Sequence, residues 1–279
     1  MQFWQLAILA IVQGLAELLP VSSSAHVIVA EKLLGLDPTS PQMTLLLVML
    51  HTGTMFAVIV YFWRSWREAY FSSVAAFRDV AVRVIVATAL TGSVGLALMY
   101  FIKHAFMNGA SDFQIESLFG NAHLMGAALA AVGILIITAG LSRRPARDGL
   151  TVGDSAVIGV MQGVCLPFRG FSRSGATIST GMLLGVARRR AEEFSFALAV
   201  VLTPPVIVRE LHRLHKAQAL AGGSVSLGHA ALPSLAGMVL SFLAGMVALR
   251  WLSRWLEAGR WHLFGAYCLV AAAVVWWIG

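Results

Sequence analysis

Apolar runs long enough to cross a bilayer recur along this chain from one end to the other, and that pattern leaves few ways to fold. Five of them are about 20 residues long: Met43 to Trp63, Val80 to Ile102, Ala122 to Leu141, Leu232 to Trp251 and Trp261 to Ile278. A sixth, Phe194 to Val208, is shorter and carries Pro204 and Pro205, which predicts a kinked span. With 58% hydrophobic and 12% charged residues and a mean hydropathy of +0.80, the charges are too few to solvate a globule of 279 residues. Disorder, collagen, coiled coil and a hidden soluble catalytic domain are excluded together. The expected class is an all-α polytopic membrane protein.

In a soluble chain a net charge of +7 would suggest nucleic acid, but here 17 Arg and 3 Lys gather mostly in short connecting segments. That is a topology signal, and no nucleic-acid partner is expected. Arg64, Arg67 and Arg78, then Arg143, Arg144 and Arg147, then Arg188, Arg189 and Arg190, then Arg250, Arg254 and Arg260 mark four cytoplasmic segments. The loop from Lys103 to Asn121 and the chain ends are expected outside, with Arg209, Arg213 and Lys216 after Pro205 as an exception. Cys165 and Cys268 stand alone in apolar segments and read as small buried hydrophobes. The N-terminus lacks a basic lead and does not read as a cleavable signal.

Two apolar regions are interrupted by polar residues and glycines: about 3–36, broken at Pro20 to Ser24, and about 153–187, broken at Pro167 to Gly175. Counting crossings, the second must enter and leave by the cytoplasmic face, and the first, with an external N-terminus, would dip in from outside. The two also resemble each other. Gln13-Gly14, Leu19-Pro20 and Ser22-Ser23-Ser24 recur as Gln162-Gly163, Leu166-Pro167 and Ser172-Arg173-Ser174, within a residue or two of a 149-position offset. We expect one integral-membrane domain, 1–279, with halves of roughly 1–141 and 150–279. It would be an inverted-topology repeat with about six spanning helices and two re-entrant hairpins meeting near the midplane. Irregular backbone at that depth must be covered by protein or line a watery cavity.

The first break puts Gln13 and Glu17 on one helical face, then Pro20, then Ser22, Ser23, Ser24 and His26 at the head of a new helix. Ionisable groups inside a membrane are costly and usually functional. The second break, from Arg169-Gly170 through Ser172, Arg173 and Ser174 to Thr177, looks like an oxyanion cradle. Glycine admits the anion to backbone amides, hydroxyls donate, a helix start adds positive potential and the guanidinium matches phosphate. Structural alternatives are serines that only cap a half-helix and an Arg173 to Glu17 ion pair. His51 reads first as a core histidine of an apolar helix.

These motifs resemble those of the undecaprenyl pyrophosphate phosphatase family, integral-membrane enzymes that recycle the bacterial cell-wall carrier lipid. Its pattern [EQ]GxxE followed by PxSSxxH is met by Gln13, Glu17, Pro20, Ser22, Ser23 and His26. Its pattern PGxSRSxxT is met by Gly170, Ser172, Arg173, Ser174 and Thr177. His51 to Thr54 and Glu192 to Phe196 also resemble the family, so the likeness covers nearly the whole chain. Two departures stand out: Gln13 where many relatives have a second carboxylate, and Arg169 in place of the proline.

The resemblance implies hydrolysis of undecaprenyl pyrophosphate to the monophosphate and phosphate, in the bacterial inner membrane, with the site open to the periplasmic side. Glu17, Ser23, His26 and Arg173 are the expected catalytic residues. Ser22, Ser24, Arg169, Gly170, Ser172, Ser174 and Thr177 would bind the phosphates, and Gln13 and Glu17 would hold Mg²⁺ or Ca²⁺. Ser23, activated by His26, is the favoured nucleophile, with His26 itself or water as rivals. The partners are then the polyprenyl pyrophosphate lipid and the bilayer, and a homodimer is compatible. Rival functions are a polyprenyl-phosphate transporter or flippase and an inactive lipid-binding relative.

Overall fold

The computed structural model describes residues 2–36, 41–106, 122–220 and 227–278. Among them lie ten helices and no strand: α1 Phe3–Leu18, α2 Ser23–Leu33, α3 Pro41–Ala69, α4 Val74–Phe106, α5 Ala122–Leu141, α6 Val152–Cys165, α7 Arg173–Leu183, α8 Arg188–Leu220, α9 Leu227–Glu257 and α10 Trp261–Ile278. Five of these, α3, α4, α5, α8 and α9, are long and apolar enough to cross a membrane. This is a polytopic membrane protein. α10 falls short of that measure: its 18 residues rise about 27 Å against a hydrocarbon layer of about 30 Å.

The expected sixth span differs most. α8 is a continuous helix of 33 residues that runs through Pro204 and Pro205. Arg209, Arg213 and Lys216, read as a loop, lie on its backbone. Two prolines remove two amide donors, and long helical flanks on both sides keep the remaining ladder intact. α8 also starts earlier than its apolar run, because its polar first turns are internally paired. Arg189 Nε lies 3.1 Å from Glu193 Oε1 and Arg190 Nη1 lies 2.9 Å from Glu193 Oε2. Beyond Phe106 the expected outer loop lies outside the described residues.

The chain forms two compact units. One comprises residues 1–19, 23–64 and 199–252; the other comprises 20–22, 65–198 and 253–279. In the first, α1 and α2 form a hairpin that returns to its own start, where Gln5 Nε2 donates to Leu34 O at 3.2 Å. Leu6, Leu9, Ala10, Ala30, Met43, Leu46 and Leu50 make the core around it.

In the second unit α6 and α7 form the corresponding hairpin, and Arg147 closes it. Its Nη2 donates to Asp154 Oδ1 in the first turn of α6 at 2.6 Å and to Leu184 O at the end of α7 at 3.3 Å. Arg144 Nη1 caps the same end through Leu183 O at 2.7 Å. Thr151 and Asp154 complete a capping box at the start of α6. Both broken regions are therefore hairpins whose two ends meet. Nearby, the Arg190 guanidinium holds the exposed Asp148 carboxyl below the usual carboxylate range, chiefly through hydrogen bonds.

The helix lengths repeat in chain order: 16, 11, 29, 33 and 20 residues, then 14, 11, 33, 31 and 18. The packing repeats too. In the first unit Gly14 of α1 sits on α9, so close that an added Cβ would lie 2.6 Å from Ala244 Cβ and 2.8 Å from Ser241 O. In the second, Gly163 of α6 sits on α4, where a Cβ would lie 2.8 Å from Val94 Cβ and 2.9 Å from Thr91 O. These contacts recur 149 or 150 positions apart. Each hairpin thus leans on the fourth helix of the other half of the sequence.

Gly14→Ala and Gly163→Ala should each destabilise the protein by about 1–3 kcal/mol, the usual cost of overpacking. Gly92→Ala, with nothing within 4 Å of the new Cβ, should be neutral or gain about 0.5–1 kcal/mol. Melting in detergent tests the pairing, and equal melting points for Gly163→Ala and Gly92→Ala would contradict it.

Candidate active site

The acidic group lies in the first unit. Glu17, in the last turn of α1, receives the Ser23 hydroxyl on Oε2 at 2.7 Å and the Gln13 amide on the same oxygen at 3.3 Å. The i,i+4 spacing of Gln13 and Glu17 on α1 and the break before α2 produce this set, because Ser23 opens α2 facing back toward the end of α1. Ser23 was expected to work with His26; the partner the structure gives it is Glu17.

His51, read as a core residue, has a 39% exposed side chain with Nε2 3.8 Å from Glu17 Oε2. Its Nδ1 lies 2.8 Å from Leu47 O. A carbonyl only accepts, so Nδ1 carries a proton and Nε2 faces the carboxylate. The signal for His51 was its place in the His51 to Thr54 stretch; apolar surroundings concealed it.

The basic group lies in the second unit. Phe171 N donates to Phe168 O at 3.1 Å, and Gly170 between them has φ 98°. This is the pattern of a type II turn, which favours proline at the position Arg169 holds and requires a left-handed residue at Gly170. A Cβ on Gly170 would also lie 2.5 Å from Met125 O. The turn delivers the chain to Ser172, which caps α7 by accepting from Gly175 N at 3.2 Å. Arg173 is the first residue of α7, where helix potential favours anions.

Ser172 and Thr177, expected at the phosphates, are buried and hydrogen-bonded within the protein. Ser172 serves the cap, and Thr177, fully buried, gives its hydroxyl to Arg173 O at 2.8 Å and lies 2.6 Å from Ser195 Oγ. Both hold the first turn of α7 in shape. Ser195 lies in the Glu192 to Phe196 stretch, whose spacing alone does not show that it meets Thr177.

Within the second unit Pro20 packs against α7 and α10. A Cβ on Gly175 would lie 3.2 Å from Pro20 Cβ, and Cys268 Sγ lies 3.3 Å from Pro20 O. Both cysteines are buried and unbridged, as expected. Ser22, also in this unit and buried, has φ 69°, a left-handed conformation that costs a non-glycine residue about 1–2 kcal/mol. Such strain gathers at functional sites.

The bacitracin resistance protein BacA family matches residues 6–274. The chain belongs to that family. Similar curated proteins include the Undecaprenyl-diphosphatase 2 of Acinetobacter baylyi, 61% identical over 270 residues, 96% of this chain and 95% of that one. The Undecaprenyl-diphosphatase of Acidiphilium cryptum is 35% identical, covering 95% of this chain and 94% of its own. That of Desulfosudis oleivorans is 32% identical, covering 98% and 97%.

Gly170→Ala should cost at least about 1–3 kcal/mol of stability through strain and overpacking. Arg169→Pro should keep or raise the melting temperature, since proline suits the turn. A melting point lowered by Arg169→Pro would contradict the turn assignment.

Proposed function

We infer that this chain is an undecaprenyl-diphosphatase, which hydrolyses undecaprenyl diphosphate to undecaprenyl phosphate and inorganic phosphate. The observation that carries this reading is the Ser23 hydroxyl donating to the Glu17 carboxylate at 2.7 Å inside a helix break. An alcohol with a proton acceptor in place is a nucleophile's arrangement, and a carrier that only bound and moved a lipid would need no such pair. Membership of the BacA family and the named diphosphatases among its relatives support it.

In the mechanism we propose, Ser23 Oγ attacks the terminal phosphorus while its proton passes to Glu17. The bond from that phosphorus to the bridging oxygen breaks, and its electron pair leaves with undecaprenyl phosphate. His26, three residues beyond Ser23 on α2 and so on the same face, protonates the leaving oxygen. Water then attacks the phosphoserine. His26 takes its proton, Ser23 recovers its own from Glu17, and phosphate departs. Arg173 neutralises the charge gathering on the transferred group, where most phosphoryl-transfer catalysis resides. Ser22, Ser24, Ser174, Arg169 and the Gly170 backbone line the phosphates, while Ser172 and Thr177 act from behind. We place the site on the periplasmic side of the inner membrane.

The oxygens of Glu17, Gln13 and Ser23 are hard donors that suit Mg²⁺ or Ca²⁺. Among the described residues no three His, Cys, Asp or Glu side chains are grouped to hold a metal. One carboxylate with neutral oxygens fits an ion that takes its remaining ligands from water and the diphosphate. When bound, such an ion would offset the diphosphate charge.

Phosphate release from a C55 diphosphate in detergent should fall at least ~100-fold in Arg173→Ala, the scale of losing a key electrostatic group. Glu17→Gln, which keeps the shape and removes the base, should fall about 10²–10⁴-fold. Retained turnover in either variant would refute that residue's role, and no release by the wild type would refute the enzyme reading. Gln13→Glu should lower the Mg²⁺ concentration at half-maximal turnover, because it adds a carboxylate.

A further inference from the structure

We propose that Ser195 is a positioning residue for Arg173, acting through Thr177. The proposal rests on the reading above that Arg173 holds the transferred phosphate.

The direction of the hydrogen bonds follows from counting protons. Thr177 has one hydroxyl hydrogen, and Arg173 O at 2.8 Å can only accept it. Thr177 Oγ1 therefore accepts from Ser195 Oγ at 2.6 Å. The line runs from Ser195 on α8, through Thr177, to the backbone carbonyl of Arg173. Ser195 and Thr177 are both fully buried, so water does not compete.

Ser195 uses its hydroxyl between helices. Thr52, Thr180 and Thr203 close on their own helix, on Val48 O at 2.8 Å, Ala176 O at 2.8 Å and Ala199 O at 2.7 Å, whereas Ser241 of α9 reaches Leu50 O at 2.8 Å on another helix, as Ser195 reaches Thr177. Ser195 bridges to α7 between Phe194 and Phe196, which are themselves buried.

The anchor is itself fixed. Two residues earlier, buried Glu193 accepts from Ser65 near the end of α3, from Arg189 Nε at 3.1 Å and from Arg190 Nη1 at 2.9 Å. Its neighbour Glu192 accepts from Ser253 of α9 at 2.5 Å. The first turns of α8 are thus held from several helices, and Ser195 passes that fixed position to the start of α7. On the far side Trp261 Nε1 holds Ser179 at 2.9 Å. A guanidinium that meets charge only as it develops must be placed to a fraction of an ångström, and an error of about 1 Å can cost about 10²-fold.

The test is a double-mutant cycle in detergent with C55 diphosphate, read as kcat, KM, the inhibition constant of inorganic phosphate, and melting temperature. Ser195→Ala should lower kcat about 10-fold and weaken phosphate inhibition several-fold, a partial loss of the positioning term. Ser195→Cys, which nearly keeps the volume but donates weakly, should match it with wild-type melting. In an Arg173→Ala background Ser195→Ala should cost nothing further. Wild-type kcat in both serine variants, or the same loss with and without Arg173, would overturn the proposal. If Arg173→Ala alone keeps full turnover, the reading of Arg173 fails first, and that result is separate from the cycle.

Discussion

Peptide groups inside a hydrocarbon layer must find hydrogen-bond partners within the protein, and the two helix breaks exist only because theirs are supplied. At the second break the supply is visible group by group. Ser172 takes an amide of the first turn of α7, and Arg144 and Arg147 take the carbonyls at its far end. The loop that carries these arginines was read as a cytoplasmic marker, and it also closes the hairpin. At the first break the cost shows as a left-handed Ser22, held where the chain turns from Glu17 to Ser23. Polar chemistry at this depth is thus inseparable from the capping that permits the break.

The two hairpins share a plan and differ in charge. Between Gln162-Gly163 and Leu166-Pro167, where the first copy carries Glu17, the second carries no carboxylate, and the position matching Arg173 falls in the serine run of the first. One copy carries the carboxylate and the alcohol; the other carries the guanidinium. Identical copies would have placed like charges in both breaks. In the mechanism proposed above, that divergence on a common backbone would supply both a proton acceptor and an anion holder, the two things an anhydride hydrolysis needs.

Much of this was legible in the sequence because hydropathy reports what lipid demands. α5 and α10 begin and end where the apolar runs do, and the hairpins fall where Pro20 and Pro167 interrupt theirs. The polar ends were not legible, since the first turns of α8 are held by ion pairs and hydroxyls that no apolar run signals. The prolines of α8 misled for a related reason: a propensity measured in isolation gives way to a long helix already propagated on both sides. In the site, residue types were readable and partnerships were not. Ser23 with Glu17, His51 with Glu17 and Ser195 with Thr177 all join separate elements, and one-dimensional spacing does not encode which neighbour a hydroxyl meets.

The exchanged seating of the hairpins has a bearing on biogenesis. α1 is made before the other described helices, yet a helix it leans on, through Gly14 against Ser241 and Ala244, is among the last of them. The segment bearing Gln13 and Glu17 has its contacts with α2 and α3 early, but its seat on α9 only after more than two hundred further residues. The first of the described helices to be made is therefore among the last to be fully packed.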